Sequence, residues 1–208
     1  MKKFFAILLA GVLTVGLAAC GGSDDAATND DSNKEEITLK IGASPTPHAE
    51  ILNAAKDELA EKGIKLDIVE FTDYVQPNLA TESGDLDANY FQHTPYLEQF
   101  NKEQGTHLVA VGKVHFEPMS IYAGTVKDLK DIPAGTKVGI PNDATNGGRA
   151  LKLLESAGLI KVDPAAGYTP TKKDITENPL NLDIKEVEAA NTASLLPDVA
   201  AAVINGGH

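Results

Sequence analysis

The sequence predicts an α/β fold, and three observations carry the prediction. Apolar residues alternate at Ile37, Leu39 and Ile41, as a strand with one buried face requires. Ile51, Leu52, Ala55 and Leu59 then share one face of a helix that Pro47 can open and Gly63 closes. A second strand, residues 64–71, follows at once, which gives the strand-helix-strand length of a right-handed parallel crossover.

The remaining elements continue the pattern. A loop with Tyr74 leads to a short helix that has Pro77 in its first turn and Gly84 at its end. Residues 86–91 are the third strand. His93 falls in the turn beyond it, Thr94 is the expected N-cap, and Pro95 opens a helix that continues through Tyr96, Leu97 and Phe100. Residues 108–111 and 119–122 read as two more strands, with Phe116, Glu117 and Pro118 in an irregular piece between them, of the kind that carries a chain from one lobe to another. A strand at 137–140 ends at Pro141, and a helix from about 146 to 157 buries Ala150, Leu151 and Leu154 before Gly158 stops it. A helical turn near Ile175, a strand at 182–187 and a last strand at 201–205 complete the pattern.

The N-terminus is of a different kind. Lys2 and Lys3 form a positive n-region, Phe4 to Leu17 an apolar run, and Leu17, Ala18 and Ala19 precede Cys20, so residues 1–19 read as a signal peptide. The LAAC sequence resembles the lipobox of bacterial lipoproteins, which implies lipidation of Cys20 and a protein held on the outer face of the cell membrane. Cys20 is the only cysteine, so no internal disulfide is possible and no thiolate remains for catalysis. The stretch up to Glu36 is small and acidic without a large apolar residue, so residues 20–36 are expected to be a disordered tether. The formal net charge is -12, and loss of Lys2 and Lys3 takes it to -14. That balance argues against nucleic acid as a partner, which needs basic patches.

Two constellations point to a small-molecule site. DLDANYFQHTPYL, residues 85–97, combines Tyr90, Phe91, His93 and Tyr96, with Phe71, Tyr74 and Phe100 nearby, and its position beyond a strand is where open α/β sheets bind ligands. An aromatic core junction is the alternative, since aromatics fill cores more often than sites. The second is IPNDATNGGRALKLL, where Arg149, the only arginine in the chain, stands at a glycine-rich helix start. Its planar fork suits a carboxylate, the helix end suits an anion, Asn146 offers an amide, and Gly147 and Gly148 would let a ligand approach the backbone. A plain surface arginine is the alternative. Together the two describe a ligand with an apolar arm and a carboxylate, which is an amino acid.

GASPTPHAEIL, DYVQPNLA, DANYFQHTPYL, PNDATNGGRAL and the closing AAVIN resemble the NlpA-type lipoproteins, the methionine-binding components of ABC importers. The resemblance implies a two-lobed periplasmic-binding-protein-like (type II) fold with a hinge, with lobe 1 at 37–122 and lobe 2 at 123–205. It implies Tyr74, Phe91, His93 and Tyr96 around the ligand side chain, Asn146 and Arg149 on its carboxylate, and Asn205 at its ammonium group. It further implies methionine, L- or D-, as ligand and an ABC permease with its ATPase as partners, with no cofactor. Family members continue beyond AVIN with elements returning to the first lobe, so residues 206–208 would begin that return. A chain ending there is expected to fold weakly.

Other function classes have less support. An enzyme would use His93 as base and Glu117 as acid, but no nucleophile, base and orienting group occur together. A surface antigen or adhesin predicts no saturable ligand. His48, His93, His107 and His115 are too scattered for a helical metal pair, so no metal site is expected, and His48 reads as a capping or packing residue.

Overall fold

A computed structural model describes residues 36–207. The expected signal peptide, Cys20 and the expected tether as far as residue 35 lie outside the described residues. In the first lobe, β1 (Ile37–Ala43) is the middle strand of three. It runs parallel to β2 (Ile64–Glu70) in the register Ile37↔Ile64 to Ala43↔Glu70, and to β3 (Ala88–Tyr90) from Ile41↔Ala88 to Ala43↔Tyr90. The crossover helix α1 (Glu50–Glu61) starts later than Pro47. Pro45–Ala49 form an irregular turn with Thr46 extended at φ -123° and ψ 133°, because a residue before proline is driven out of the helical region. The Thr46–Pro47 peptide is cis.

α2 (Gln76–Ser83) is held at its start by Asp73, whose Oδ1 accepts from the backbone N–H groups of Val75 at 2.8 Å and Gln76 at 2.7 Å. Gly84, at φ 82°, ends it in the left-handed conformation that glycine adopts without a Cβ penalty. α3 (Thr94–Gln104) begins one residue earlier than a Thr94 cap would place it: His93 is the extended N-cap, and its carbonyl accepts from the N–H groups of Tyr96 and Leu97. The base of this lobe is a buried amide network. Asn78, fully buried, exchanges hydrogen bonds with Gln92 (3.0 and 2.6 Å) and accepts from Asn89 Nδ2 at 3.0 Å.

The strand expected at 108–111 does not form. Residues 106–119 run without regular structure, with Val109 and Val111 78% and 94% exposed. Among the described residues no strand lies beside them, and backbone groups without a ladder partner stay in water. The start of the segment is tied down by Asn101, whose Nδ2 donates to the Leu108 carbonyl and whose Oδ1 accepts from Thr106, and its far end by His115, whose Nδ1 hydrogen-bonds the Tyr90 hydroxyl.

The second lobe holds a four-stranded sheet in the order β4-β9-β5-β8. β5 (Lys137–Pro141) is parallel to β8 (Asp183–Val187) and to β9 (Ala201–Ile204). β4 (Ser120–Ala123) is antiparallel to β9, from Ser120↔Ile204 to Ala123↔Ala201. Residues 120–122, expected in lobe 1, therefore bond into the second sheet. Helix α4 (Ala144–Ser156) packs on this sheet, and Val138, Ile140, Leu151, Leu154 and Val203 form a core with exposures of 0–1%. Each large apolar side chain buried there stabilises the lobe by about 1.5–3 kcal/mol. A small antiparallel pair, β6 (Lys161–Val162) with β7 (Ile175–Glu177), lies beside it; the turn expected near Ile175 precedes β7 as a single 3₁₀ turn at Lys172–Asp174. After β9 the chain comes back to the first lobe: a Cβ on Gly207 would lie 2.4 Å from the Thr46 carbonyl, and one on Gly206 would lie 2.7 Å from Glu117 Cβ.

Candidate functional site

The two constellations occupy the ends of strands in different lobes. Phe91 and His93 follow β3, and the first turns of α3 add Tyr96, because strand, turn and helix succeed one another within seven residues. Phe91, Tyr96 and Phe100 form a buried cluster with Tyr74 packed against it. Ring centroids are 5.7 Å apart for Tyr74 and Phe91, and 6.1 Å apart both for Tyr74 and Tyr96 and for Phe91 and Tyr96. These tilted and edge-on arrangements are the favourable ones for aromatic quadrupoles. The Tyr96 hydroxyl donates to the Tyr74 carbonyl at 2.9 Å, which fixes the loop before α2 against α3. His93 stacks on Tyr96 at 6.3 Å.

The second half is built on the start of α4. Asp143 is its N-cap: Oδ1 accepts from the Asn146 N–H at 2.8 Å and from Thr145 Oγ1 at 2.9 Å, and Oδ2 accepts from Asn146 Nδ2 at 3.0 Å. The Asn146 side chain, 1% exposed, is thereby locked with its carbonyl oxygen toward Arg149 and Asn205. That oxygen accepts from Arg149 Nη1 at 3.0 Å and from Asn205 Nδ2 at 3.1 Å, so one amide aligns both the guanidinium and the first residue after β9. Asp143 was not singled out from the sequence, although its spacing to Asn146 is that of an N-cap to the residue it caps.

Two buried side-chain atoms among the described residues have no hydrogen-bond partner, and they belong to opposite halves: His93 Nε2 and Asn205 Oδ1. A buried polar atom left unpaired costs about 1–3 kcal/mol. Both are groups that a polar ligand would satisfy. The electrostatics link the halves too. Burial, then the charge of Arg149, pushes His93 down to about 4, with Asp143 opposing, so the imidazole is neutral at physiological pH. Burial raises the Tyr74 and Tyr96 hydroxyls well above the ordinary tyrosine value, the negative charge of Glu117 adding at Tyr74 and that of Asp143 at Tyr96. Burial also lowers Arg149, against Asp143. A shallow cavity of about 400 Å³ opens beside Arg149, bounded by Phe116, Met119, Lys152, Leu153 and Tyr168.

Some expectations change. Gly147 and Gly148 do not open the backbone to a ligand. A Cβ on Gly147 would sit 2.9 Å from the Pro141 carbonyl, and one on Gly148 would sit 2.8 Å from Thr169 Cα, so these glycines let α4 pack against its own lobe. Glu117 does not face His93 as an acid would face its base. Its Oε1 lies 2.9 Å from His115 Nε2 and 3.8 Å from His48 Nε2.

Sequence and fold comparisons place this architecture in a group. Residues 39–208 match the NlpA lipoprotein family. The chain belongs to the NlpA lipoproteins. It is 44% identical over 195 residues to the methionine-binding lipoprotein MetQ of Bacillus subtilis, an alignment covering 93% of this chain and 69% of that relative. Among solved structures it resembles the substrate-binding protein of a methionine transporter from Streptococcus pneumoniae, with 43% identity, a TM-score of 0.76, and 81% of this chain and 68% of that one covered. It also resembles a nutrient-binding protein from Burkholderia cenocepacia bound to methionine, with 43% identity, a TM-score of 0.78, and coverage of 81% and 72%. The two-lobed periplasmic-binding-protein-like fold is thus that of this NlpA lipoprotein.

Proposed function

We propose that this NlpA lipoprotein is a lipid-anchored substrate-binding protein that captures methionine and delivers it to an ABC permease and its ATPase. The observation that carries the reading is the pair of orphaned buried atoms on opposite lobes, His93 Nε2 and Asn205 Oδ1, with a lone arginine whose charge is felt at His93 and whose guanidinium shares Asn146 Oδ1 with Asn205. Arg149, oriented by the Asn146 carbonyl, holds the carboxylate, the fork of the guanidinium supplying two parallel donors. Asn205 Oδ1 accepts from the ammonium group. Tyr74, Phe91 and Tyr96 enclose the side chain, and a thioether against such rings gains up to about 1.5 kcal/mol per contact, which separates methionine from leucine. Binding closes the lobes, because each half satisfies only one end of the ligand. The names of the relatives support a binding rather than a catalytic role. Lipid on Cys20 and a tether through residue 36 would hold the domain at the outer face of the membrane.

Isothermal titration of the purified protein with L-methionine, D-methionine, methionine dipeptides and S-methylcysteine tests this. One-to-one binding of methionine, with leucine weaker by tenfold or more, is expected. Absence of saturable binding of any of these ligands to a folded sample refutes it and favours a surface antigen.

A further inference from the structure

A third cluster lies outside the amino-acid site. His48 lies in the turn after β1, and His115 and Glu117 belong to the extended segment 106–119 that leads to the second lobe. One ligand atom from each of these three side chains falls within 4.8 Å of the other two. Residues 115 and 117 alternate by two along extended chain, which turns both side chains to one side. We propose that His48, His115 and Glu117 bind a divalent transition-metal ion of the Zn2+ type, tying the interlobe segment to the first lobe.

The orientation of the imidazoles carries the proposal. Ser44 Oγ lies 3.0 Å from His48 Nδ1, and the Tyr90 hydroxyl hydrogen-bonds His115 Nδ1. Each ring is thus held by a hydroxyl at Nδ1 while its Nε2 turns toward Glu117 Oε1. Histidines that bind metal through Nε2 are oriented in this way, with the other nitrogen donating to a neighbouring oxygen. The rings also support one another: His48 meets Tyr90 edge-on at 4.8 Å and His115 at 5.2 Å. The Nε2 to Oε1 separations of 2.9 and 3.8 Å bracket the spacing of about 3.3 Å that tetrahedral bonds of about 2.0–2.1 Å impose on neighbouring ligands.

Charge and chemistry select the ion. Two neutral imidazoles and one carboxylate give a net charge of -1, which favours a dication. Two nitrogens and one oxygen suit zinc and its neighbours, whereas calcium and magnesium require mainly oxygen. His48 is 94% buried in effect, with 6% of its surface exposed. The side chains of His115 and Glu117 are about a quarter exposed, at 26% and 25%, which leaves an opening for the ion and for water as a fourth ligand. The site excludes His93 and Arg149 and does not depend on methionine binding.

The test is titration of metal-stripped protein with Zn2+ alone by calorimetry, and with Co2+ alone by visible absorption. One equivalent of Zn2+ is expected, together with the strong visible band of four-coordinate Co2+, which Zn2+ displaces. Glu117→Gln and His115→Ala should each lower the affinity at least tenfold, and Ser44→Ala by about 10–100-fold through loss of ring orientation. His107→Ala, whose ring lies on the surface against Glu82, should change nothing. Circular dichroism establishes folding of each variant, and the cobalt spectrum of the unaltered protein stands without any variant. No stoichiometric Zn2+ binding, a faint six-coordinate Co2+ spectrum, or affinity that survives both Glu117→Gln and His115→Ala overturns the proposal.

Discussion

Replacing Arg149 with lysine keeps the positive charge and removes the fork, so it isolates what the guanidinium geometry contributes. In the structure Arg149 Nη1 donates to Asn146 Oδ1 at 3.0 Å, and Asn146 is itself pinned by two hydrogen bonds to Asp143. The guanidinium therefore reaches the cleft in one orientation. A lysine ammonium can meet one carboxylate oxygen but not two in parallel, and it has no second nitrogen with which to hold Asn146. The loss amounts to about one charge-assisted hydrogen bond, roughly 1.5–3 kcal/mol. Because the charge survives, the lower half of that range is expected, a weakening of methionine binding by about 10–50-fold at 1.4 kcal/mol per decade. Calorimetry measures it directly, and a thermal melt of the unliganded variant should stay within about 1 kcal/mol of the parent, because the side chain is only half-buried. A dissociation constant within threefold of the parent would refute the argument and take Arg149 out of the carboxylate site.

Three further outcomes follow from particular residues. His93 is lowered to about 4 in the folded protein from an ordinary 6.5, so the unfolded chain binds more protons between those values, and the stability is complete above pH 6.5 and is lost as pH falls toward 4. The difference corresponds to at most about 3 kcal/mol, near 2 after solvent screening, and urea melts at pH 7 and pH 4.5 of the parent and of His93→Gln should show the parent losing more. Gly148→Ala forces a Cβ against Thr169 Cα at 2.8 Å and should cost about 1–3 kcal/mol in a denaturant melt, while methionine affinity of the folded protein is unchanged. Asn78→Ala leaves Gln92 and Asn89 without their buried partner, so a loss of about 2–3 kcal/mol in the same melt is expected, and a neutral result would mean that water replaces the amide.

Which parts of this molecule the sequence discloses depends on the range of the interactions involved. The crossover β1-α1-β2 is legible because period-two and period-3.6 patterns are local, and the observed strands differ from the expected ones by a residue or two at their ends. The strand at 108–111 fails for the opposite reason. LVAV has strand composition, but a strand exists only where another supplies its hydrogen bonds, and composition carries no record of the partner. Residues 120–122 are assigned to the wrong sheet on the same ground, since the pairing Ser120↔Ile204 spans most of the second lobe. Gly147 and Gly148 mislead because a glycine announces close approach without saying of what: here it is the Pro141 carbonyl and the loop at Thr169.

The two side-chain clusters divide along the same line. Phe91, His93 and Tyr96 are neighbours in the chain, and Asn146 and Arg149 are one helical turn apart, so each half of the cleft is visible as a motif, and only the join between them requires the fold. His48 and His115 share no motif. They come together because Ala43, at the end of β1, pairs with Tyr90, at the end of β3, and this sets Tyr90 beside the turn that carries His48 while the interlobe segment lays His115 and Glu117 over both. A cluster assembled by strand register is silent in the sequence, however well its donors are placed. Scattered histidines therefore argue against a metal pair on one helix, and they say nothing about a site built from a turn and a crossing segment.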